Sequence, residues 1–456
     1  MSEDGFISGQ SYEPLRRLLS DTKIQEMQAE VRIENRFEAP KWEEETVSLN
    51  ALQQSAWQPN HLIAIDGDYS KSKIENGYPG AEIGYVTVST VVILLNKVRA
   101  LENEQFIDPR KFRETEQPAS IDSLFVGCNV VLQGEDSAKS SMRKILYTDL
   151  KKCRIFADTE TLLDTYEFLL KDRPAGGRAP KCPHDGCEED YVSDTGEYYC
   201  PACGGKLYST DALRLHELFN PAGTSGEMYG QIKETLKKLQ LIHLLRSFEQ
   251  HPGYFSVLRD IVFFIEGTLA VFSTSSWLAK PIRRELDRLN RKVKEEFNTD
   301  LIILGIERTG NFVNHFADID TKRDGTGDNF PKQSAFLLTN EYIRKHIILN
   351  ENPHYVYLED TAFGRKFFYK TTAGYRVVAS LATYNNYQAN ADTAFQLQFP
   401  RLADVVLLLD KLVSSRYENS VLPLATAHAE AAIPLNLGKP IFEGIAREIK
   451  EHSENS

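Results

Sequence analysis

The chain has 456 residues, of which 41% are hydrophobic and 26% are charged, a balance typical of a globular protein with a large core. Its net charge of -12 excludes a protein that coats nucleic acid through overall positive charge, but it is compatible with a local basic channel. No apolar run reaches the ~18 residues of a transmembrane helix, and the N-terminus lacks the apolar core of a signal peptide. We therefore expect no membrane association and a cytoplasmic location.

The first chemically informative stretch follows a predicted helical arm over residues 1–50. Residues 62–65 are apolar and run into Asp66-Gly67-Asp68, which predicts a buried strand that stops at a carboxylate. Asp66 then either faces a cation at the mouth of a sheet or belongs to a turn, as Asp-Gly pairs often do. A β-branched run over residues 81–95 predicts the next strand of a mixed sheet.

A cysteine cluster follows a Pro/Gly-rich linker. Two short cysteine pairs on tight turns would bring four thiolates to one tetrahedral Zn²⁺, and His184 inside the first pair could replace one sulfur. Because few residues surround the cysteines, we favour a structural clip over a nucleic-acid-binding ribbon. The cluster consists of Cys182, Cys187, Cys200 and Cys203.

The second half of the chain repeats the strand-then-acid pattern. Residues 210–249 are predicted to be helical, and a buried strand over residues 261–265 then ends in Glu266-Gly267. A third apolar run reaches Glu307, which is a further candidate. Two strands that each end in an acidic residue and a glycine are harder to explain as simple turns.

The C-terminal half also contains basic and histidine candidates. The helix predicted over residues 281–297 is basic on one side, which is typical of a solvated face or of a phosphate-binding surface. His428 follows a helical turn that begins with proline, where a lone histidine is more often structural than catalytic. The arginines of the basic side are Arg283, Arg284, Arg288 and Arg291.

Carboxylates at the ends of central strands match the needs of metal-assisted phosphodiester hydrolysis. Two divalent ions about 4 Å apart activate water and neutralise the leaving oxygen. Such ions are held by hard oxygen ligands. A nearby histidine can move a proton or stabilise the phosphate.

Three motifs resemble those of the NurA nuclease family, and they occur in the same order. They are Ala64-Ile65-Asp66-Gly67-Asp68-Tyr69-Ser70, Phe264-Ile265-Glu266-Gly267-Thr268-Leu269 and Leu422-Pro423-Leu424-Ala425-Thr426-Ala427-His428. The resemblance implies manganese- or magnesium-dependent endonucleolytic and 5′-to-3′ exonucleolytic cleavage of DNA. It also implies a homodimer that works with a hexameric HerA-type ATPase in DNA end resection or in anti-phage defence.

The resemblance assigns roles to individual residues. Asp66 matches the metal ligand on the first strand, and His428 matches the C-terminal histidine. Glu266 occupies a position where the family usually has aspartate. The family's middle glutamate should lie on the helix before Glu266, and we prefer Glu249, which is nearer that strand, to Glu234.

The predicted fold is α/β: a ribonuclease H-like mixed central sheet with flanking helices and a small inserted zinc-ribbon-like subdomain. The domains follow as an arm over 1–50, a nuclease domain in two parts over 51–172 and 210–440, the zinc insertion over 173–209, and a C-terminal helix and tail over 441–456. The alternative is a non-catalytic zinc-containing subunit that binds nucleic acid or a partner through the insertion and the basic helix.

Overall fold

The structure is a computed structural model of the chain. It describes residues 22–32, 41–52, 55–75, 77, 80–101, 116–174, 179–187, 189–321, 329–384, 391–413, 420–432 and 435–454. The chain divides into two compact units, residues 1–41 and residues 42–456. Within the first unit, helix α1 spans Thr22–Glu30; residues 1–21 and 33–40 of the helical arm predicted over residues 1–50 lie outside the described residues.

The second unit is built around a nine-stranded mixed sheet of order β1-β9-β10-β11-β8-β7-β2-β3-β4. Strands β2, β7 and β8 are parallel neighbours, and every other pairing is antiparallel. The predicted mixed α/β sheet is therefore confirmed. The strands are β1 Val47–Ser48, β2 His61–Lys73, β3 Glu82–Leu94, β4 Glu116–Val126, β7 Ile261–Glu266, β8 Ile302–Glu307, β9 Ser334–Leu337, β10 Gly364–Lys370 and β11 Arg376–Ala382, with a separate hairpin of β5 Glu197–Tyr199 and β6 Lys206–Tyr208.

Strand β2 does not stop at Asp66, and this part of the sequence prediction is wrong. The strand continues to Lys73, and Asp66 pairs with Ser89 of β3. What ends at this point is the parallel pairing with β7, whose last registered pair is Ile65 with Ile265. Asp66 is thus neither in a turn nor at a strand end. It lies at the point where β2 stops pairing with its parallel neighbour β7 but continues to pair with its antiparallel neighbour β3.

Helices cover both faces of the sheet. One face packs against α4, α5, α6 and α7, through a core that includes Ile63 and Ile65 of β2. The other face, which includes Leu62 and Ala64, packs against α10 and α11. The helices of the second unit are α2 Trp42–Glu45, α3 Leu95–Leu101, α4 Ala138–Lys152, α5 Leu162–Lys171, α6 Gly226–Gln250, α7 Ala279–Phe297, α8 Asn311–Asp320, α9 Asn340–Ile343, α10 Leu402–Leu412, α11 Leu422–Ala431 and α12 Leu435–Glu454.

One predicted helix boundary changes. The helix predicted from residue 210 begins only at Gly226, after two short 3₁₀ turns. Helices α4 and α5 are separate, because Cys153 ends α4 and Thr161 begins α5 with a capping box. Residues Gln396–Gln398 form a further 3₁₀ turn. In the described part of the chain, no helix is long and apolar enough to cross a membrane.

Candidate active site and zinc site

Asp66 and His428, which are 362 positions apart, meet in the structure. His428 Nδ1 lies 3.0 Å from Asp66 Oδ2. Asp66 is 1% exposed, whereas the His428 side chain is 35% exposed, so one partner is fixed in the sheet and the other reaches solvent. Because an ionised carboxylate can only accept, Nδ1 carries the proton in this contact, and Nε2 is directed away from Asp66.

Local sequence explains how both side chains are placed. Leu62, Ala64 and Asp66 alternate onto one face of β2, and that face packs against α11, as the period of a strand requires. Pro423 lies in the first turn of α11, a position where its missing N–H costs no helical hydrogen bond. Asp66 is held further by the Gly67 N–H, which donates to Oδ1 at 2.7 Å.

Glu266 is brought to the same region by the neighbouring strand. It is the last residue of β7, and Gly267 follows at φ 89°, a left-handed conformation that favours glycine. The Gly267 N–H donates to the Ile306 carbonyl at 2.8 Å, which fixes the turn. The Glu266 carboxylate contacts Lys237 Nζ at 2.5 Å, so a helix on the other face of the sheet contributes to this site.

Lys237 contacts two acidic residues and is attracted by the charge of a third. Its side chain is fully buried, and Nζ lies 2.8 Å from Glu234 in addition to its contact with Glu266. Burial alone would lower the pKa of Lys237, but the charges of Glu234, Glu266 and Asp66 outweigh burial and raise it. Lys237 and two neighbouring lysines act in turn on Glu234. Burial would raise the pKa of Glu234, but Lys237, Lys238 and Lys233 lower it to about 2.

Glu249 is not brought to this cluster. It lies 15 residues after Glu234 on α6, which corresponds to about 22 Å along a helix. Its carboxylate pairs with Arg288 at 2.6 Å and Lys292 at 3.0 Å. Hydrogen bonds from Arg288 are the main reason that the pKa of Glu249 falls to about 2. Of the two glutamates on α6, Glu234 and not Glu249 therefore contacts the lysine that also binds Glu266.

The basic side of α7 is mostly paired within the protein. Arg288 also contacts Glu285 at 2.8 Å, Arg284 faces Asp172 at 3.5 Å, and Arg283 donates to the Glu359 carbonyl at 3.3 Å. Arg291 is exposed. Three of the four predicted phosphate-contacting arginines thus bind protein groups, which weakens the interpretation of this side as a nucleic-acid surface.

Three lysines of the site were missed by the sequence analysis. Lys237 and Lys238 lie in the middle of α6, and Lys366 lies on β10; all three are buried. The available signal for the two helical lysines was their position side by side in a helix without a polar face. Such a helix is buried on nearly every side, as α6 is. Lys366 contacts Glu307, so this earlier candidate carboxylate forms an ion pair next to the cluster.

The cysteine cluster has the geometry of a tetrahedral metal site. The four sulfurs lie within 4.8 Å of one another, with Cys182 and Cys203 at 3.7 Å and Cys187 and Cys200 at 3.9 Å. Zn–S bonds of about 2.3 Å at tetrahedral angles require sulfur separations of about 3.8 Å. Backbone N–H groups of Cys203 and Ala202 lower the pKa of Cys200 to about 7, which favours the ligating thiolate.

His184 does not take part in the cysteine cluster. Its Nε2 lies 2.8 Å from the Lys206 carbonyl, across the turn of the β5–β6 hairpin. The clip is attached to α4 by Arg143, which bonds Asp211 through two nitrogens and also donates to the Lys206 carbonyl. Such attachment to a helix supports a structural role for the cysteines.

The comparisons with known proteins identify the family. The model of the NurA domain matches residues 61–433. The chain belongs to the NurA family of nucleases. The NurA match contains Asp66, Glu266 and His428, and it also spans the cysteine insertion.

Solved structures similar to this NurA chain include the NurA nuclease from Sulfolobus solfataricus, at 10% identity and a TM-score of 0.37. A second structure, described as NurA, has 9% identity and a TM-score of 0.30. Each comparison covers 97% of this chain and 97% of the other chain. A comparison with curated proteins found no match.

Proposed function

We propose that the protein is a metal-dependent DNA nuclease whose site is centred on Asp66, Glu266, Glu234 and His428. The observation that carries the proposal is the contact between Asp66 and His428, which are 362 positions apart in the sequence. A buried carboxylate that contacts a partly exposed histidine has no packing role of its own. The two acidic residues from α6 and β7 lie in the same cluster through Lys237.

The donor set fits a divalent ion by its chemistry. Carboxylate oxygens are the ligands that Mn²⁺ and Mg²⁺ prefer. Among the described residues, only the four cysteines bring three or more potential ligand atoms within 4.8 Å of one another. The carboxylates of the proposed site do not come this close, because Lys237 lies between Glu234 and Glu266. Asp66 and Glu266, with Glu234, would hold the ion, which when bound activates water and neutralises charge on the phosphate.

The remaining roles belong to side chains of this protein. Asp66 orients the imidazole of His428 through Nδ1, which leaves Nε2 of the neutral ring as a proton acceptor. Nε2 can therefore take a proton from the attacking water, and the imidazolium so formed can give it to the leaving oxygen of the scissile phosphodiester. Lys237 balances the charges of Glu234 and Glu266, which lets these partly exposed carboxylates lie close to the buried Asp66. Zinc on the four cysteines would hold the clip on α4 and the adjacent α5.

Family membership supports a wider functional proposal. In this proposal the protein has endonucleolytic and 5′-to-3′ exonucleolytic activity, forms a homodimer, and works with a HerA-type ATPase in end processing or anti-phage defence. The proposed domains are the arm 1–50, the nuclease parts 51–172 and 210–440, the insertion 173–209 and the tail 441–456.

The test is cleavage of linear DNA with added Mn²⁺. Asp66→Asn and His428→Ala should each lose at least about 100-fold in rate, since each removes a group that acts at the phosphate. Asp66→Asn should also weaken Mn²⁺ binding measured by calorimetry without DNA. Asp68→Asn is the matched control, because Asp68 is on the same strand and, among the described residues, its recorded hydrogen bond is the one that Oδ1 accepts from the adjacent Tyr69 N–H.

The proposal fails if Asp66→Asn cleaves DNA as fast as the unaltered protein. A protein that binds DNA but never cleaves it, with or without Mn²⁺, would instead support the non-catalytic subunit.

A further inference from the structure

A cavity of about 340 Å³ lies at the end of the sheet away from the proposed catalytic site. Strands β2, β3 and β4 form one side of it and α6 forms the other, and the connection between α4 and α5 completes its wall. His61, which begins β2, lines the cavity, whereas Asp66 lies five residues later, or about 17 Å along a strand. The cavity has the volume of a small-molecule site and is separate from the carboxylates.

The lining contains a buried amide whose hydrogen bonds are incomplete. Gln240 of α6 is 3% exposed, and its Oε1 has no hydrogen-bond partner among the described residues. Its Nε2 donates to Thr90 Oγ1 at 3.2 Å, and Thr90 of β3 also lines the cavity. An unpaired polar atom in the interior is unfavourable, so a hydrogen-bonding ligand in the cavity would explain why glutamine occurs here.

The rest of the polar lining is neutral or already paired. His61 Nδ1 is also buried without a partner in the part of the chain that the structure describes. Burial lowers the pKa of His61 although Asp260 opposes the shift, so its ring is neutral at neutral pH. The one charged side chain among the described lining residues is Arg154, which donates to the Thr159 carbonyl. A neutral ligand therefore fits this cavity better than an ion.

Three aromatic side chains that contact one another also line the cavity. The ring centroid of Phe156 lies 4.9 Å from that of Tyr254 and 6.0 Å from that of Phe248. Phe248 and Phe156 are largely covered, whereas Tyr254 is exposed, so the aromatic group extends from the interior to the surface. Aromatic faces of this kind stack on flat heteroaromatic rings such as nucleobases.

The amide and the aromatic group together indicate the class of ligand. A glutamine amide offers an acceptor and a donor side by side, which matches the amino group and the neighbouring ring nitrogen of adenine. We infer that this cavity binds the adenine ring of a nucleoside, with Gln240 accepting from the amino group and the aromatic side chains contacting the ring. This binding site does not depend on the proposed cleavage chemistry, and either can fail without the other.

The first test compares two nucleosides by isothermal titration calorimetry, without DNA or divalent ions. Purine riboside has a hydrogen atom where adenosine has its amino group, so it cannot donate to Gln240 Oε1. Adenosine should therefore bind the unaltered protein at least about tenfold more tightly than purine riboside. Absence of adenosine binding, or equal affinities for the two nucleosides, would overturn the inference.

The second test removes the amide. Gln240→Leu keeps an apolar side chain of similar size and should weaken adenosine binding at least about tenfold, down to the affinity for purine riboside. Loss of the preference between the two nucleosides is a result that a merely structural glutamine would not give. A Gln240→Leu protein that still prefers adenosine would show that the amide does not recognise the amino group.

The third test leaves the core unchanged. Ala119 of β4 lines the cavity and is exposed, so Ala119→Phe should narrow the opening and weaken binding of both nucleosides. Ser120→Phe is the matched control, because the next residue along a strand points to the opposite face; it should bind adenosine as the unaltered protein does. Equal adenosine affinity in these two variants would mean that the nucleoside binds elsewhere, whether or not Gln240→Leu folds.

Discussion

At the residue scale, the structure changes which glutamate of α6 is expected to act. Glu234 and Glu249 lie on one helix, and each is paired with two or more basic groups and has a pKa of about 2. Only Glu234 shares a lysine with Glu266. A perturbed pKa alone therefore does not distinguish the two glutamates, whereas the identity of their charged partners does.

This contrast gives a matched pair of variants. Glu234→Gln should lower the rate of Mn²⁺-dependent DNA cleavage at least about tenfold, because the site loses one carboxylate and Lys237 loses one of its partners. Glu249→Gln should leave the rate within about twofold, since its partners are on α7. Rates measured side by side under saturating Mn²⁺ decide the point, and equal rates for the two variants would restore Glu249 as an alternative.

Glu249 should instead contribute to acid stability. Its pKa is lowered on folding, so its stabilisation is present above its unfolded pKa of about 4.3 and is lost as pH falls from about 5 to 2. Glu249→Gln should reduce the free energy of unfolding by about 1–3 kcal/mol near neutral pH. Urea unfolding of both proteins should show this difference shrink as pH falls; a constant difference would mean that the ion pairs are not its cause.

At the element scale, the insertion that contains the four cysteines should stabilise the protein without being needed for DNA cleavage. Cys200→Ser should lose about one zinc per chain by elemental analysis and lower Tm by roughly 5 °C or more, because the hairpin β5–β6 has a small core of its own. Cys153→Ser, which changes a thiol outside the cluster, should keep its zinc. DNA cleavage per folded Cys200→Ser molecule should persist, and loss of DNA binding at unchanged stability would point to a nucleic-acid-binding clip.

The elements also show how far sequence patterns reach. Apolar runs predicted β7 and β8 correctly, because strands buried on both faces consist of continuous hydrophobic residues. The same rule failed for β2, where Asp66-Gly67-Asp68 resembles a turn. Pairing with β3 and close contact with α6 override that local preference: a Cβ at Gly67 would lie 3.0 Å from Lys233 Cγ.

Helix α6 was the least predictable element. Its length was overestimated because the 3₁₀ turns before Gly226 are also rich in apolar residues, and periodicity does not distinguish them from a helix. Its buried lysines could not be located, because their partners come from distant parts of the chain. Motif resemblance predicted Asp66, Glu266 and His428 as site residues, but only the fold reveals which charged side chains from α6 and β10 lie near them.

At the scale of the whole molecule, the proposed site lies where parallel neighbours of the sheet separate. β2 and β7 pair only as far as Ile65 and Ile265, which opens space beside β2 beyond the carboxyl end of β7. The carboxyl ends of strands are the usual place for ligands in open α/β sheets. α11 approaches from one face and α6 from the other. Both faces of the sheet must therefore be complete before the charged groups can come together.

The contact that joins Asp66 to His428 has a consequence for the synthesis of the protein. A ribosome that adds about 5–20 residues per second places the histidine roughly 20–70 s after the aspartate. Once Glu266 has been added, the growing chain carries every acidic residue of the site but not the imidazole. Under the proposed mechanism, translation itself delays the onset of cleavage until His428 has been added.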